Sequence, residues 1–129
     1  MFNPFGRAVS TKAAGDAAEA RALAHLQRQG LTLLERNYRV ARGPRARGGE
    51  VDLILRAPDG TLVFCEVRAR RSVAQGGAAA SIGAAKQRAL VFAAQHYLQR
   101  FAAPPSCRFD VVAIDGDHLD WLPGAFDAG

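Results

Sequence analysis

Two carboxylates and an arginine stand out in a stretch that otherwise reads as apolar strand, GGEVDLILRAPDGTLVFCEVRARRS. They are Asp52, Glu66 and Arg68. Pro58, Asp59 and Gly60 form a turn by composition, so the runs on either side should pair as an antiparallel hairpin. Asp52 and Glu66 are equally far from Asp59 in the chain, which puts them opposite each other if the turn is symmetric about that residue. Alternation along the strand gives Glu66 and Arg68 a common face with Phe64. An unpaired buried ion costs several kcal/mol in practice, against a total domain stability of about 5–15 kcal/mol. Two facing carboxylates therefore need compensation. Mg²⁺ or Mn²⁺ would supply it, since both prefer carboxylate oxygens, keep some waters and accept phosphate oxygens. Arg68 adds a fixed fork for a phosphate. The bland alternative is a surface ion-pair cluster with Arg68, Arg47 or Arg70. The apolar run up to Glu66, and Val51 and Leu53 around Asp52, favour the metal site.

The elements that must position these residues follow from pattern. Met1–Ser10 reads as a flexible arm, and Ser10 or Thr11 offers a helix N-cap. Lys12–Gln29 is rich in helix formers and stops at Gly30. On that helix Ala18, Ala22 and Leu26 make one stripe, and Glu19 lies at its margin. Leu31–Val40, Val51–Ala57 and Thr61–Ala69 read as strands, the last apolar on both faces and so central under helices. The loop ARGPRARGG separates the first two. Ser81 can cap a second helix from Ile82 to about Arg100. Arg108–Ile114 is a fourth strand, and His118–Leu122 a short edge strand. The pattern predicts an α/β fold in the order α-β-β-β-α-β, a mixed four- to five-stranded sheet flanked by helices. One domain spans 11–122, with a C-terminal tail over 123–129.

Composition narrows the function classes. The chain has 129 residues, 49% hydrophobic and 22% charged, and a formal net charge of +5, which favours an anionic partner. Cys65 and Cys107 form no CxxC pair and no disulfide framework; they read as buried thiols in a reducing cytoplasm. His25, His96 and His118 are too scattered for a zinc site. No apolar run reaches transmembrane length, so no membrane partner is expected. Arg39, Arg42, Arg45, Arg47, Arg68, Arg70 and Arg71 cluster around the motif. A solvated rim is the plain reading of such a run. Proximity to the carboxylates favours a phosphate-tracking surface. Lys86 and Gln87, early in the second helix, are candidates to face the site and contact phosphate. Tyr38 is the one aromatic close to the arginines in sequence, which speaks for a duplex or branched substrate over base stacking. Asp110 is expected to be structural, paired with Arg108 or Arg88.

GGEVDLI, VFCEVRARRS, SIGAAKQRAL and CRFDVVAI occur in the order found in the YraN-type uncharacterised proteins of bacteria. GDAAEARALAHLQRQGLTLLERNYR resembles that family's opening helix and strand. The resemblance runs from about Thr11 to Leu122. The family resembles a branch of the PD-(D/E)XK nuclease superfamily, close to Holliday-junction resolvases. It implies a restriction-endonuclease-like core and metal-dependent hydrolysis of phosphodiester bonds in DNA, with branched or damaged DNA as substrate. It also makes a homodimer plausible. By this resemblance Asp52 and Glu66 hold the metal, with the Val67 carbonyl as third ligand. Glu19 is the opening helix's contribution to the site, and Glu50 a second-line candidate. Arg68 takes the lysine position of the E-x-K motif, where it cannot act as a base but can stabilise charge. A non-catalytic nuclease-fold module that binds nucleic acid is the alternative, and a small basic partner of an acidic protein a third reading.

Overall fold

The computed structural model describes residues 6–44, 48–70 and 82–128, with side chains from residue 12 onward except that of Arg70. The order is α1 (Gly6–Arg28), β1 (Thr32–Val40), β2 (Gly49–Arg56), β3 (Leu62–Arg70), α2 (Ala84–Leu98), β4 (Cys107–Asp115) and β5 (His118–Phe126). The strands form one five-stranded sheet in chain order. Neighbours are antiparallel except β3 and β4, which are parallel. A parallel pair needs a long crossover, and α2 lies within it. This is the mixed sheet flanked by helices read from the sequence, with β5 as a full fifth strand.

The helices cover opposite faces. Ala18, Ala22 and Leu26 of α1 pack on Leu53, Leu55, Val63 and Cys65. Leu90, Ala93 and Tyr97 of α2 pack on Ile54, Phe64 and Phe109. β3 is apolar on both faces because it is the middle strand, covered from both sides.

The β2–β3 turn sets the register. Asp59 Oδ1 accepts from the Thr61 N–H at 3.0 Å, and the Gly60 N–H donates to the Ala57 carbonyl at 2.9 Å. Gly60 has φ +93°, which glycine adopts without steric cost. The pairs Arg56↔Leu62 through Leu53↔Cys65 are symmetric about Asp59, as expected. A second glycine fixes a close approach. A Cβ on Gly49 would lie against the Ala89 carbonyl and 2.9 Å from Ala93 Cβ. Contact at that distance brings the start of β2 directly under α2.

Three boundaries and the exposure of one cysteine correct the sequence reading. Residues 6–10, read as part of an arm, belong to α1, which begins at Gly6. Arg7 and Ala8 are strong helix formers, and Ser10 and Thr11 inside a long helix cost only fractions of a kcal/mol each, roughly 0.5. The tail over 123–129 is mostly strand, since β5 runs to Phe126. Phe126 stacks on Phe109 at 5.0 Å between ring centroids, and Pro123 is tolerated because β5 is an edge. The N-cap of α2 is Gly83; Ser81 lies outside the described residues. Cys65 is buried as expected, but Cys107 is exposed. Among the described residues, no helix is long and apolar enough to cross a membrane.

Asp110 is fully buried on β4 and saturated with donors. Its Oδ1 accepts from Arg108 Nε at 3.1 Å and the Gly124 N–H at 2.9 Å. Its Oδ2 accepts from Trp121 Nε1 at 2.9 Å. It ties β5 to β4, in the structural role read from sequence. Asp110→Ala should cost about 3–5 kcal/mol, because it strands buried donors and a partly buried guanidinium. Urea unfolding would measure this, and a loss under about 1 kcal/mol would contradict the role.

Candidate functional site

The hairpin ladder stops at Leu53↔Cys65. One residue further out, a side chain replaces the backbone partner: the Val67 N–H donates to Asp52 Oδ2 at 2.8 Å. The strand also turns at this point. Val51 packs in the α2-side layer and Leu53 in the α1-side layer. Residues two apart on a regular strand share a face, so the alternation breaks at Asp52. On β1 the pairs on either side are Arg36↔Leu53 and Tyr38↔Val51. Between them Asn37 has φ +51°, a left-handed conformation that asparagine tolerates better than most residues.

This irregularity brings the carboxylates together. Asp52 acts on Glu66 through its charge and a side-chain hydrogen bond, one step beyond the last ladder pair, Leu53↔Cys65. The Glu66 side chain is only 5% exposed. Burial, then the Asp52 charge and the hydrogen bond between them, push the Glu66 carboxyl up to about 8, while Lys86 pulls it down. Glu19 approaches from α1. Burial and then the Asp52 charge raise its carboxyl, and a hydrogen bond with the Asn37 side chain opposes the rise. Asn37 was not visible as a site residue in the sequence, because its role depends on a backbone conformation.

Two cations meet Glu66 Oε2: Lys86 Nζ at 3.4 Å and Arg68 NH1 at 3.9 Å. Lys86 is thus more than a phosphate contact at a helix edge. It comes across the crossover and sets an amine on the motif glutamate, closer than the arginine at the motif's own lysine position. The signal was present in its early position in α2, but not the contact.

The other candidates divide. Glu50 pairs with Arg39 across β1 and β2 at 3.5 Å, so it braces the sheet at the rim of the site. Gln87 serves its own helix: Nε2 donates to the Ile82 carbonyl at 3.0 Å. Arg42 lies with its guanidinium 4.5 Å from the centre of the Phe92 ring. Arg39, Arg42, Arg68, Lys86 and Phe92 line one open groove between α2 and the sheet end where β1 finishes and β2 starts. Arg45, Arg47 and Arg71 lie outside the described residues, as does the side chain of Arg70. The Val67 carbonyl is on the site strand, but the contact the residue makes with the site is through its N–H.

The donor set fits a hard divalent cation. Asp52 and Glu66 offer oxygens side by side, and Mg²⁺ is commonly held by one or two carboxylates plus waters and substrate phosphates. Among the described residues, no three His, Cys, Asp or Glu side chains come together as a group that could hold a metal ion.

The raised Glu66 value has a testable sign. Between its ordinary value and about 8, the folded protein holds a proton that the unfolded chain has lost. Stability is then greatest below the ordinary value and falls as pH rises through 8. In metal-free protein, melting temperature should fall from pH 5 to pH 8. Glu66→Gln should flatten that slope and raise the melting temperature at pH 8 by about 5 °C. Mn²⁺ affinity should rise with pH over the same range, by up to about tenfold per unit. Equal pH slopes in wild type and Glu66→Gln would overturn the assignment.

The model of the uncharacterised protein family UPF0102 matches residues 18–114, a span that holds Glu19, Asp52, Glu66, Arg68 and Lys86. A UPF0102 protein of Methylibium petroleiphilum is 65% identical over 93% of this chain and 98% of its own length. One from an Acidovorax species is 66% identical over 92% of this chain and 88% of its own. One from Paracidovorax citrulli is 64% identical over 95% and 89%. On this evidence the chain belongs to the UPF0102 family, the YraN-type family that its motifs resemble.

Proposed function

We propose that this protein is a divalent-cation-dependent endonuclease that hydrolyses phosphodiester bonds in DNA, with branched or damaged DNA as its substrate. The reading is carried by one observation: a buried carboxyl, Glu66, beside the half-buried Asp52, with the amine of Lys86 3.4 Å from Glu66 Oε2. Asp52 and Glu66 would hold Mg²⁺ or Mn²⁺, with the Val67 carbonyl as third ligand. The bound cation supplies Lewis-acid polarisation of the scissile phosphate and an acidified water.

The chain's own groups do the rest. The Val67 N–H holds Asp52 in orientation through Oδ2. Glu66 would hold the cation as a carboxylate, so cation binding would be linked to loss of its proton. Lys86 has three donors; one points at Glu66, and the others are free to orient the attacking water. Arg68 stays charged and braces the phosphate with its planar fork, stabilising the charge that develops on it. Glu19, held by Asn37 near Asp52, orients a second water. Arg42 and the other arginines around the motif give the salt-sensitive attraction to phosphate. The free thiols Cys65 and Cys107 suit a reducing cytoplasm.

Arg68 at the motif's lysine position favours a second reading, a nuclease-fold module that binds nucleic acid without cutting it. Labelled duplex, single-stranded, flap and four-way-junction DNAs, incubated with Mg²⁺, Mn²⁺ or EDTA, separate the two. On the nuclease reading cutting needs the metal and is lost in Asp52→Ala and Glu66→Ala. Lys86→Ala should slow single-turnover cutting by about 100-fold, with Arg68→Lys retaining most of it. Salt-sensitive binding without cutting of any of the four would leave the binding module.

A further inference from the structure

Phe92 is the exception among the phenylalanines whose surroundings are described. Phe64, Phe101, Phe109 and Phe126 all belong to the aromatic core beneath α2. Phe92 belongs to none of the apolar clusters formed by the described residues. It is half-buried, on the groove side of α2, under the Arg42 guanidinium at 4.5 Å. Ala85, Lys86, Arg88 and Ala89 precede it on α2 and line the same groove, with Arg39 and Arg68 contributed by the sheet.

We propose that this groove takes an unpaired nucleotide of DNA, with its base on the Phe92 ring. An aromatic face and a guanidinium plane are the two surfaces on which unstacked bases are held, and here they face each other. Arg42 is exposed two residues past the end of β1; it would move off the ring to admit a base and then cover its second face. Phosphates flanking that base would meet Arg39 on one side and Lys86 on the other, which leads the strand toward Glu66. Arg39, Arg42, Arg68, Lys86 and Arg88 outnumber Glu50 and Asp127 in the lining, and that charge favours a polyanion over an apolar peptide on this surface. The earlier preference for an unstacked-base-free substrate rested on Tyr38 being the nearest aromatic in sequence; Tyr38 is committed to His96 at 2.7 Å, and the aromatic at the groove arrives from α2. The inference rests on the nucleic-acid part of the proposed function and not on catalysis.

The test is binding in EDTA, where nothing is cut. Fluorescence anisotropy would compare a single strand, a duplex with a short flap and a blunt duplex, all at one salt concentration. A single 2-aminopurine in the flap would report stacking. The wild type should bind the single strand and flap more tightly than the blunt duplex and quench the probe. Phe92→Ala should weaken flap and single-strand binding about tenfold or more, change blunt-duplex binding less than about twofold, and abolish quenching. Phe92→Leu, which keeps apolar bulk, should resemble Phe92→Ala; Phe92→Trp should restore both signals. Equal binding of flap and blunt duplex, full rescue by leucine, or no binding of any DNA would each overturn the proposal. Metal-dependent cutting with Phe92-independent binding would overturn it while leaving the nuclease reading. Phe92-dependent stacking without cutting would do the reverse.

Discussion

Glu66 sits almost out of water beside Asp52, and a buried carboxylate is costly unless it is paired or protonated. Much of the local structure answers that constraint. The hairpin ladder ends one residue early, so that the Val67 N–H can meet Asp52. The strand alternation breaks at Asp52, and Asn37 opposite takes a left-handed conformation and bonds Glu19. Glycine at position 49 lets α2 approach the sheet closely enough for Lys86 to reach Glu66. With Lys86 and Arg68 in place, Glu66 still keeps its proton well above the ordinary range. The protein side alone does not neutralise the pair as two anions. A further positive charge beside the pair would let Glu66 ionise at lower pH, and that is the physical basis for the proposal of a metal centre.

The parts of this arrangement that were legible in the sequence are those governed by local rules. The Pro58–Gly60 turn has a composition that dictates its geometry, and a symmetric turn makes the register a matter of counting. That is why Asp52 and Glu66 could be paired before the fold was known. The doubly apolar run LVFCEV identified the central strand for a similar reason, because exposure on either face would have required polar alternation. Asp110 could be read as structural because a lone carboxylate amid VVAI needs partners, and Arg108 is two residues away.

What was not legible depends on contacts across the chain. The Lys86–Glu66 contact spans the β3–α2–β4 crossover, and nothing in SIGAAKQRAL states how far α2 slides along the sheet. Gly49 decides that, through a steric opening that has no periodicity. Phe92 looks like the other core residues of its helix; only the packing distinguishes the outward ring. Helix-former composition ended too late to find the true start of α1, and Pro123 suggested a tail where an edge strand tolerates it. The arginines of the loop after β1 were legible as charge but not as geometry, and Arg45 and Arg47 lie outside the described residues.

The outer strands carry a consequence for self-association. A sheet edge is a template on which another chain can pair, and open sheets avoid this by making their edges irregular. β1 has a register shift between Leu33 and Glu35 and the left-handed Asn37. β5 faces a shift between Phe109 and Val111, contains Pro123, which has no N–H to donate, and turns the Gly124 N–H inward to Asp110. Neither edge offers a long regular row of donors and acceptors. Two copies of this protein joined in a dimer would therefore have to meet through helix faces or loops, not by extending one sheet into the next. The same irregularity guards a chain of high apolar content against growing into fibrils through its strands.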